Sequence, residues 1–185
     1  MVTISVIYHS GSGTTTFAAK EIIQGAIDAG ATVHDIFIEG KDIVEGRYKN
    51  ESVFAKLAES DAIIFGSPTY MGSVSGQFKS FMDATGAIWM KQGWKDKVAG
   101  GFTVSGSPSG DKVNTLFQLV VLSQQHGMVW VGPAQANDGS VNKLGGYVGA
   151  IFAVSYGQKF DDAGDISYAK EYGKRIVQKA ELLVK

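Results

Sequence analysis

The stretch Ile4-Ser5-Val6-Ile7-Tyr8-His9-Ser10-Gly11-Ser12-Gly13-Thr14-Thr15-Thr16 decides the fold. Its short apolar run, rich in β-branched residues, predicts a buried parallel strand. The run ends in small and hydroxyl-bearing residues, after which Phe17, Ala18, Ile22, Ile23, Ala26 and Ile27 recur at helical spacing. Strand, small-residue loop and helix follow one another. Unpaired N–H groups at the helix start, with the positive end of its dipole, favour an anion in such a loop.

The type of loop narrows the anion. Gly11-Ser12-Gly13-Thr14-Thr15-Thr16 lacks the third glycine of the dinucleotide fingerprint, and no lysine follows to make a Walker A loop. Hydroxyls at Ser10, Ser12, Thr14 and Thr15 surround the glycines, and Lys20 lies more than a helical turn further on. This suits a dianion neutralised by dipoles and hydrogen bonds. The loop resembles the phosphate site for flavin mononucleotide (FMN) in flavodoxin-like proteins. The same residue types also cap helices with no ligand present.

The chain's 185 residues fit one domain, 1–185, able to bury most of its apolar surface. A net charge of −1 argues against broad attraction to nucleic acid or an anionic membrane. No apolar run reaches membrane-spanning length, so no membrane insertion is expected, and a cytoplasmic location is the default. Without cysteine the chain has no disulfide, iron–sulfur ligand or thiol nucleophile. No His/Asp/Glu cluster suggests a metal. The twenty-four glycines against three prolines fit an α/β protein with many tight strand-to-helix turns.

Strands and helices alternate along the chain. Strands are expected at Thr32 to Ile38, Asp61 to Gly66, Val98 to Val104 and Met128 to Val131. Helices are expected at Glu51 to Ser60, Val74 to Thr85, Asp111 to Gln125 and Ile166 to Val184. Glu39 to Asn50 and Pro133 to Gly149 are polar connections, and Ala150 to Val154 is apolar again. Repeated βα units imply a parallel sheet with right-handed crossovers. The fold class is α/β, a flavodoxin-like three-layer sandwich with a five-stranded parallel sheet in the order 2-1-3-4-5. Such sheets bind ligands where the order reverses.

Two further loops then belong to the site. Ser67-Pro68-Thr69-Tyr70-Met71-Gly72 follows the third strand, and Ser105-Gly106-Ser107-Pro108-Ser109-Gly110 follows the fourth. The segment Gly66 to Trp89 closely resembles the tryptophan-repressor-binding-protein family of FMN-dependent NAD(P)H:quinone oxidoreductases. The resemblance returns at Gln125 to Met128, Gly145 to Ala150 and Ala169 to Ile176.

The resemblance implies the roles residue by residue. Ser10, Gly11, Ser12, Gly13, Thr14 and Thr15 match the phosphate loop. Pro68, Thr69, Tyr70, Met71 and Gly72 match the loop at the flavin edge. Ser105, Gly106, Ser107, Pro108, Ser109 and Gly110 match the third flavin loop. His126 matches a histidine at the flavin and is the candidate catalytic group at its N1–O2 edge; plain capping of the helix end is the other reading of it. Trp89 matches an aromatic that walls the substrate pocket, and family members are typically homotetramers whose subunits complete one another's pockets. Where the family often has an arginine-phenylalanine pair, this chain has Tyr70-Met71, a difference that bears on the quinone and on NADH against NADPH.

The implied reaction is hydride transfer from NAD(P)H through FMN to a quinone, two electrons at a time. The competing readings are a flavodoxin-type electron carrier, an FMN-dependent reductase of free flavin, azo or nitro compounds, and a scaffold that has lost flavin. Carriers are usually strongly acidic, unlike this chain.

Overall fold

The opening run forms β1 (Thr3–Tyr8), and α1 (Thr14–Asp28) returns along one face before β2 (Thr32–Phe37) pairs beside it. The structure, a computed structural model, describes residues 1–155 and 157–184. Next come a small antiparallel hairpin, β3 (Ile43–Val44) and β4 (Arg47–Tyr48), and then α2 (Glu51–Glu59). β5 (Ala62–Tyr70), β6 (Ser73–Val74), α3 (Gly76–Ala84) and α4 (Gly86–Met90) follow. The chain continues through β7 (Val98–Ser105), α5 (Lys112–Gln125), β8 (Val129–Trp130), β9 (Ala150–Ala153) and α6 (Ala163–Leu183).

The sheet order is β2-β1-β5-β7, with an outer position shared by two strands. β8 pairs with the first residues of β7, at Val98↔Val129 and Ala99↔Trp130, and β9 pairs with its last four. The expected 2-1-3-4-5 order therefore holds as five positions, but the fifth is broken by residues 131–149. Tyr172 of α6 fills the break. Its hydroxyl accepts from Gly101 N–H at 2.9 Å and donates to the Val131 carbonyl at 2.8 Å. These two bonds satisfy backbone groups that an unbroken strand would have paired. Gly149 closes the other side, where an added Cβ would stand 2.5 Å from the Gly101 carbonyl oxygen.

Two other boundaries differ from expectation. The third expected strand, Asp61 to Gly66, runs on through Tyr70, because Thr69 and Tyr70 pair with Val74 and Ser73. That pairing also delays the helix expected from Val74 until Gly76, where Ser75 caps it by accepting from Phe78 N–H. Glu39 to Asn50 is not merely a polar connection, since it contains the β3–β4 hairpin.

Alternation along the buried strands supplies two cores. Ile4, Val6 and Ile64 face α1 and α6, whereas Ile7, Ile63 and Phe65 face α2, α3 and α5. α1 and α6 touch backbone to backbone. A Cβ on Gly25 would lie 1.9 Å from the Lys170 carbonyl oxygen, and one on Gly173 would lie 2.0 Å from that of Ile22.

At the amino-terminal edge of the sheet, α5 ends on His126, which is 1% exposed and packs 4.4 Å, ring to ring, from the buried Trp94. The Thr85 hydroxyl donates to the Met82 carbonyl at 2.7 Å, so it meets the His126 ring as an acceptor, at 2.9 Å from Nε2. The ring therefore carries its proton on Nε2. Nδ1 remains a buried acceptor with no partner. Protonating it would bury a charged N–H with nothing to receive it, and burial lowers the His126 pKa to about 4.

Two predictions follow from this packing. Gly25→Ala or Gly173→Ala forces the helices apart and should cost about 3 kcal/mol in urea unfolding, although alanine favours helices by about 1 kcal/mol; an unchanged midpoint would refute the backbone contact. For His126 the folded pKa lies below the unfolded 6.5. Between those values the unfolded chain binds the extra proton, so stability falls as pH drops from about 6.5 towards 4, by roughly 3 kcal/mol in all. His126→Gln keeps an N–H for Thr85 and should flatten that acid limb in melting temperatures measured from pH 7 to 4.5.

Candidate functional site

All strands of the main sheet run parallel, so the loops after β1, β5 and β7 meet at one edge. The loop after β1 turns on Gly13, whose φ of 90° is left-handed and suits glycine. Ser10 Oγ accepts from Gly13 N–H at 3.0 Å and folds the loop over. The helical ladder of α1 begins at Phe17 N–H, which reaches the Gly13 carbonyl, and no side chain caps the turn before it. The N–H groups of Thr14, Thr15 and Thr16 precede that ladder. Ser12 and Thr14 bring their hydroxyls within 3.3 Å of each other at the surface, and the buried Thr15 Oγ1 has no partner. Open amides, free hydroxyls and a helix dipole in one turn fit a phosphate group.

Across from this loop, the end of β5 carries Pro68, Thr69 and Tyr70. Tyr70 leans over the first loop so closely that a Cβ on Gly11 would stand 2.3 Å from its hydroxyl. Thr69 lines the cleft, while its hydroxyl is 2.8 Å from each of the buried Thr103 and Thr115 hydroxyls. Met71 and Gly72 form the tip of the β5–β6 hairpin, both left-handed, with the Met71 side chain wholly exposed.

A cleft of about 410 Å³ lies between the loops, lined by Gly11, Ser12, Thr14, Pro68, Thr69, Tyr70, Ser105 and Gly106. Val104 and Val154 complete its wall. The sequence reading missed both. Val154 arrives because β9 ends beside the third loop, where its N–H donates to the Ser105 carbonyl at 3.0 Å. Recognising Ala150 to Val154 as the returning half of the fifth strand would have found it.

The rest of the third loop faces elsewhere. Pro108 and Ser109 line an adjoining cavity of about 490 Å³ together with Asp111, Lys112 and Lys143. Gly110 and Asp111 are both left-handed, with φ of 55°, and bend the chain into α5. Inside that bend lies Lys112, only 1% exposed. Its ammonium donates to Ser105 Oγ at 2.7 Å and to the Ser107 carbonyl, while Ser105 Oγ donates to the same carbonyl at 2.9 Å. No carboxylate among the described residues pairs with it. Burial lowers its pKa to about 8, which leaves it charged at neutral pH. From sequence, Lys112 is one of four candidates, with Lys91, Lys95 and Lys97, for an adenosine 2′-phosphate; its place behind the third loop is signalled only by a lysine opening a helix after a glycine-rich loop.

Two expected site residues are not brought to this cleft by their own chain. α5 has 14 residues, so His126 lies about 21 Å from its Lys112 end. His126 is buried between Thr85 and Trp94, so its own chain does not bring it to the flavin edge where it was expected. Trp89 lies on α4 at the same far edge, 45% exposed, whereas the nearby Trp94 is core. His9 beside the first loop is structural, its Nδ1 3.2 Å from the Ile38 carbonyl and its ring stacked on Phe37. Among the described residues no group of three or more His, Asp or Glu could hold a metal, and no helix is long and apolar enough to cross a membrane.

Comparison with known proteins agrees with this arrangement. Residues 3–143 match the family described as NADPH-dependent FMN reductase. A protein named flavodoxin FldP from Pseudomonas aeruginosa is 38% identical over 94% of both chains. One named NAD(P)H dehydrogenase (quinone) from Archaeoglobus fulgidus is 36% identical, covering 99% of this chain and all of that one. The crystal structure of a flavodoxin, WrbA-like protein from Agrobacterium tumefaciens superposes with a TM-score of 0.78 at 39% identity, covering 99% of each chain. The first strand and its hydroxyl loop, the flavodoxin-like sheet and these relatives together place the chain in the NADPH-dependent FMN reductase family.

Proposed function

We propose that this chain is an FMN-dependent oxidoreductase that passes a hydride from NAD(P)H to a quinone, two electrons at a time. The observation that carries the reading is the cleft itself. An uncapped helix turn with an unpartnered Thr15 hydroxyl lies at one end, and the backbone of two glycine-containing loops forms its sides. The names of the Archaeoglobus relative and of a second one from Geotalea daltonii, 31% identical, support the same reaction.

Ser10, Gly11, Ser12, Gly13, Thr14 and Thr15 hold the phosphate through first-turn amides and hydroxyls. Pro68, Thr69 and Tyr70 with Ser105 and Gly106 hold the ring, with Tyr70 over the first loop and Val104 and Val154 as apolar wall. Bound FMN supplies the hydride chemistry, so the protein's tasks are to hold one ring face, orient the nicotinamide and quinone against the other, and limit access of water. No acid–base group of this chain is needed in the cleft, in keeping with the distance of His126.

The finer reading is a cytoplasmic homotetramer. Trp89 and Met90 are exposed at the edge of the sheet opposite the chain's own cleft, and Val113, Phe117 and Val121 are exposed along α5 at intervals of four. Apolar side chains so placed suit contact with another copy, and Trp89 then walls a neighbour's pocket, not its own. Trp89→Ala should raise the quinone KM several-fold with the flavin retained, and sedimentation should give a species four times the chain mass.

The 38% identical relative named a flavodoxin favours one alternative, an electron carrier with no turnover of its own. The deciding experiment is an absorbance spectrum of the purified protein followed by anaerobic NADPH. Yellow protein that bleaches and regains colour with a quinone is expected; yellow protein inert to NADPH and NADH would make it a carrier. Thr15→Val, which removes an unpartnered buried hydroxyl at constant shape, should leave the apoprotein as stable as before and weaken FMN at least about tenfold. Unchanged affinity would remove Thr15 from the phosphate site.

A further inference from the structure

The buried amine of Lys112 has no paired carboxylate among the described residues. It lies at the start of α5, where the helix dipole is positive and a cation is disfavoured. Its neighbours are two neutral acceptors, the Ser105 hydroxyl and the Ser107 carbonyl. Asp111 and Lys143 share the cavity beside it, and Lys143 is already paired with Asp162 and Asp165. Gly110 wraps the same group tightly: a Cβ there would stand 2.5 Å from Ser105 Oγ. The loop that lines the cleft through Ser105 and Gly106 is thus folded around a positive charge.

Hydride delivery from NAD(P)H adds two electrons and one proton to the flavin ring and leaves NAD(P)⁺. The reduced ring then carries one negative charge that the oxidised ring lacks. A fixed cation behind the loop that holds the ring favours the charged form over the neutral one, since the two differ by that unit. Resting on the FMN reading above, we propose that Lys112 raises the reduction potential of the bound flavin by supplying the positive charge that the reduced ring's negative charge meets, and positions the third loop through Ser105 and Ser107.

A structural role alone would change oxidised and reduced FMN affinity together. A charge acts on their ratio. The test is the midpoint potential of bound FMN, read against reference dyes, with the dissociation constant of oxidised FMN, in wild type, Lys112→Gln and Lys112→Met. Gln keeps hydrogen-bond donors for the loop without the charge, and Met keeps neither. Both variants should favour the reduced flavin on the order of tenfold less than wild type does, a fall of about 30 mV for a two-electron couple. In Lys112→Gln, oxidised FMN should still bind within about threefold of wild type. A wild-type potential in Lys112→Gln would overturn the proposal while leaving the FMN reading intact; wild-type protein that binds no FMN at all would overturn both.

Discussion

Three buried threonine hydroxyls hold the site together. Thr69 at the end of β5 lies 2.8 Å from Thr103 on β7 and 2.8 Å from Thr115 on α5. Buried hydroxyls without partners are costly, so the trio has one low-energy arrangement, with all three elements in register. A slip of β5 by one residue would turn Thr69 to the other face and leave two hydroxyls unmatched. The junction fixes where the second loop leaves the sheet, and through Thr115 it fixes the first turn of α5. Both walls of the cleft depend on it. Thr69 was expected as a cofactor residue; it lines the cleft, and its hydroxyl is spent on the two threonines below.

The fold was legible where the sequence obeys local rules. β1 and β5 read as apolar runs because both of their faces are covered, and α1 reads by its period. The broken fifth position was not legible, since two residues at Val129–Trp130 and four at Ala150–Ala153 are each too short to carry a period. What fills the break is a hydroxyl 41 residues beyond Val131, that of Tyr172, and no local pattern announces that a tyrosine on the closing helix will stand in for a strand. The extension of β5 was hidden for a related reason. Pro68 within Ser67-Pro68-Thr69 signals a turn, yet here it sits where β5 still pairs with β7, and β6 folds back onto the residues after it.

At the site, backbone-driven features were readable and side-chain placement was not. Glycine and hydroxyl residues after a strand announce an anion loop because the chemistry lies in the loop's own amides. A histidine at a helix end announces nothing about which end of the sheet that helix reaches. In a parallel α/β layer each helix runs back against its strand, so a helix that begins at the cleft ends at the far edge. α5 begins at the third loop, and that alone carries His126 away from the cleft. The same reasoning moves Trp89, because α3 also starts at the cleft edge and descends before α4 begins.

The two ends of α5 hold two buried bases whose environments act in opposite directions on function. His126 sits at the negative end of the dipole, where a cation is favoured, yet burial keeps it neutral, with its free nitrogen lacking an acceptor. Lys112 sits at the positive end, where a cation is disfavoured, and burial lowers its pKa only to about 8, so it stays charged at neutral pH against two acceptors. Packing explains the first, since a neutral imidazole fills a space beside Trp94. Packing does not explain the second, because an apolar side chain of similar length would fill the same bend without desolvating a charge. A fold that maintains a cation against burial and dipole together is less stable than it could be, and such costs concentrate where a ligand's charge changes. In this molecule that place is the loop between Ser105 and Lys112, one turn of chain from the cleft.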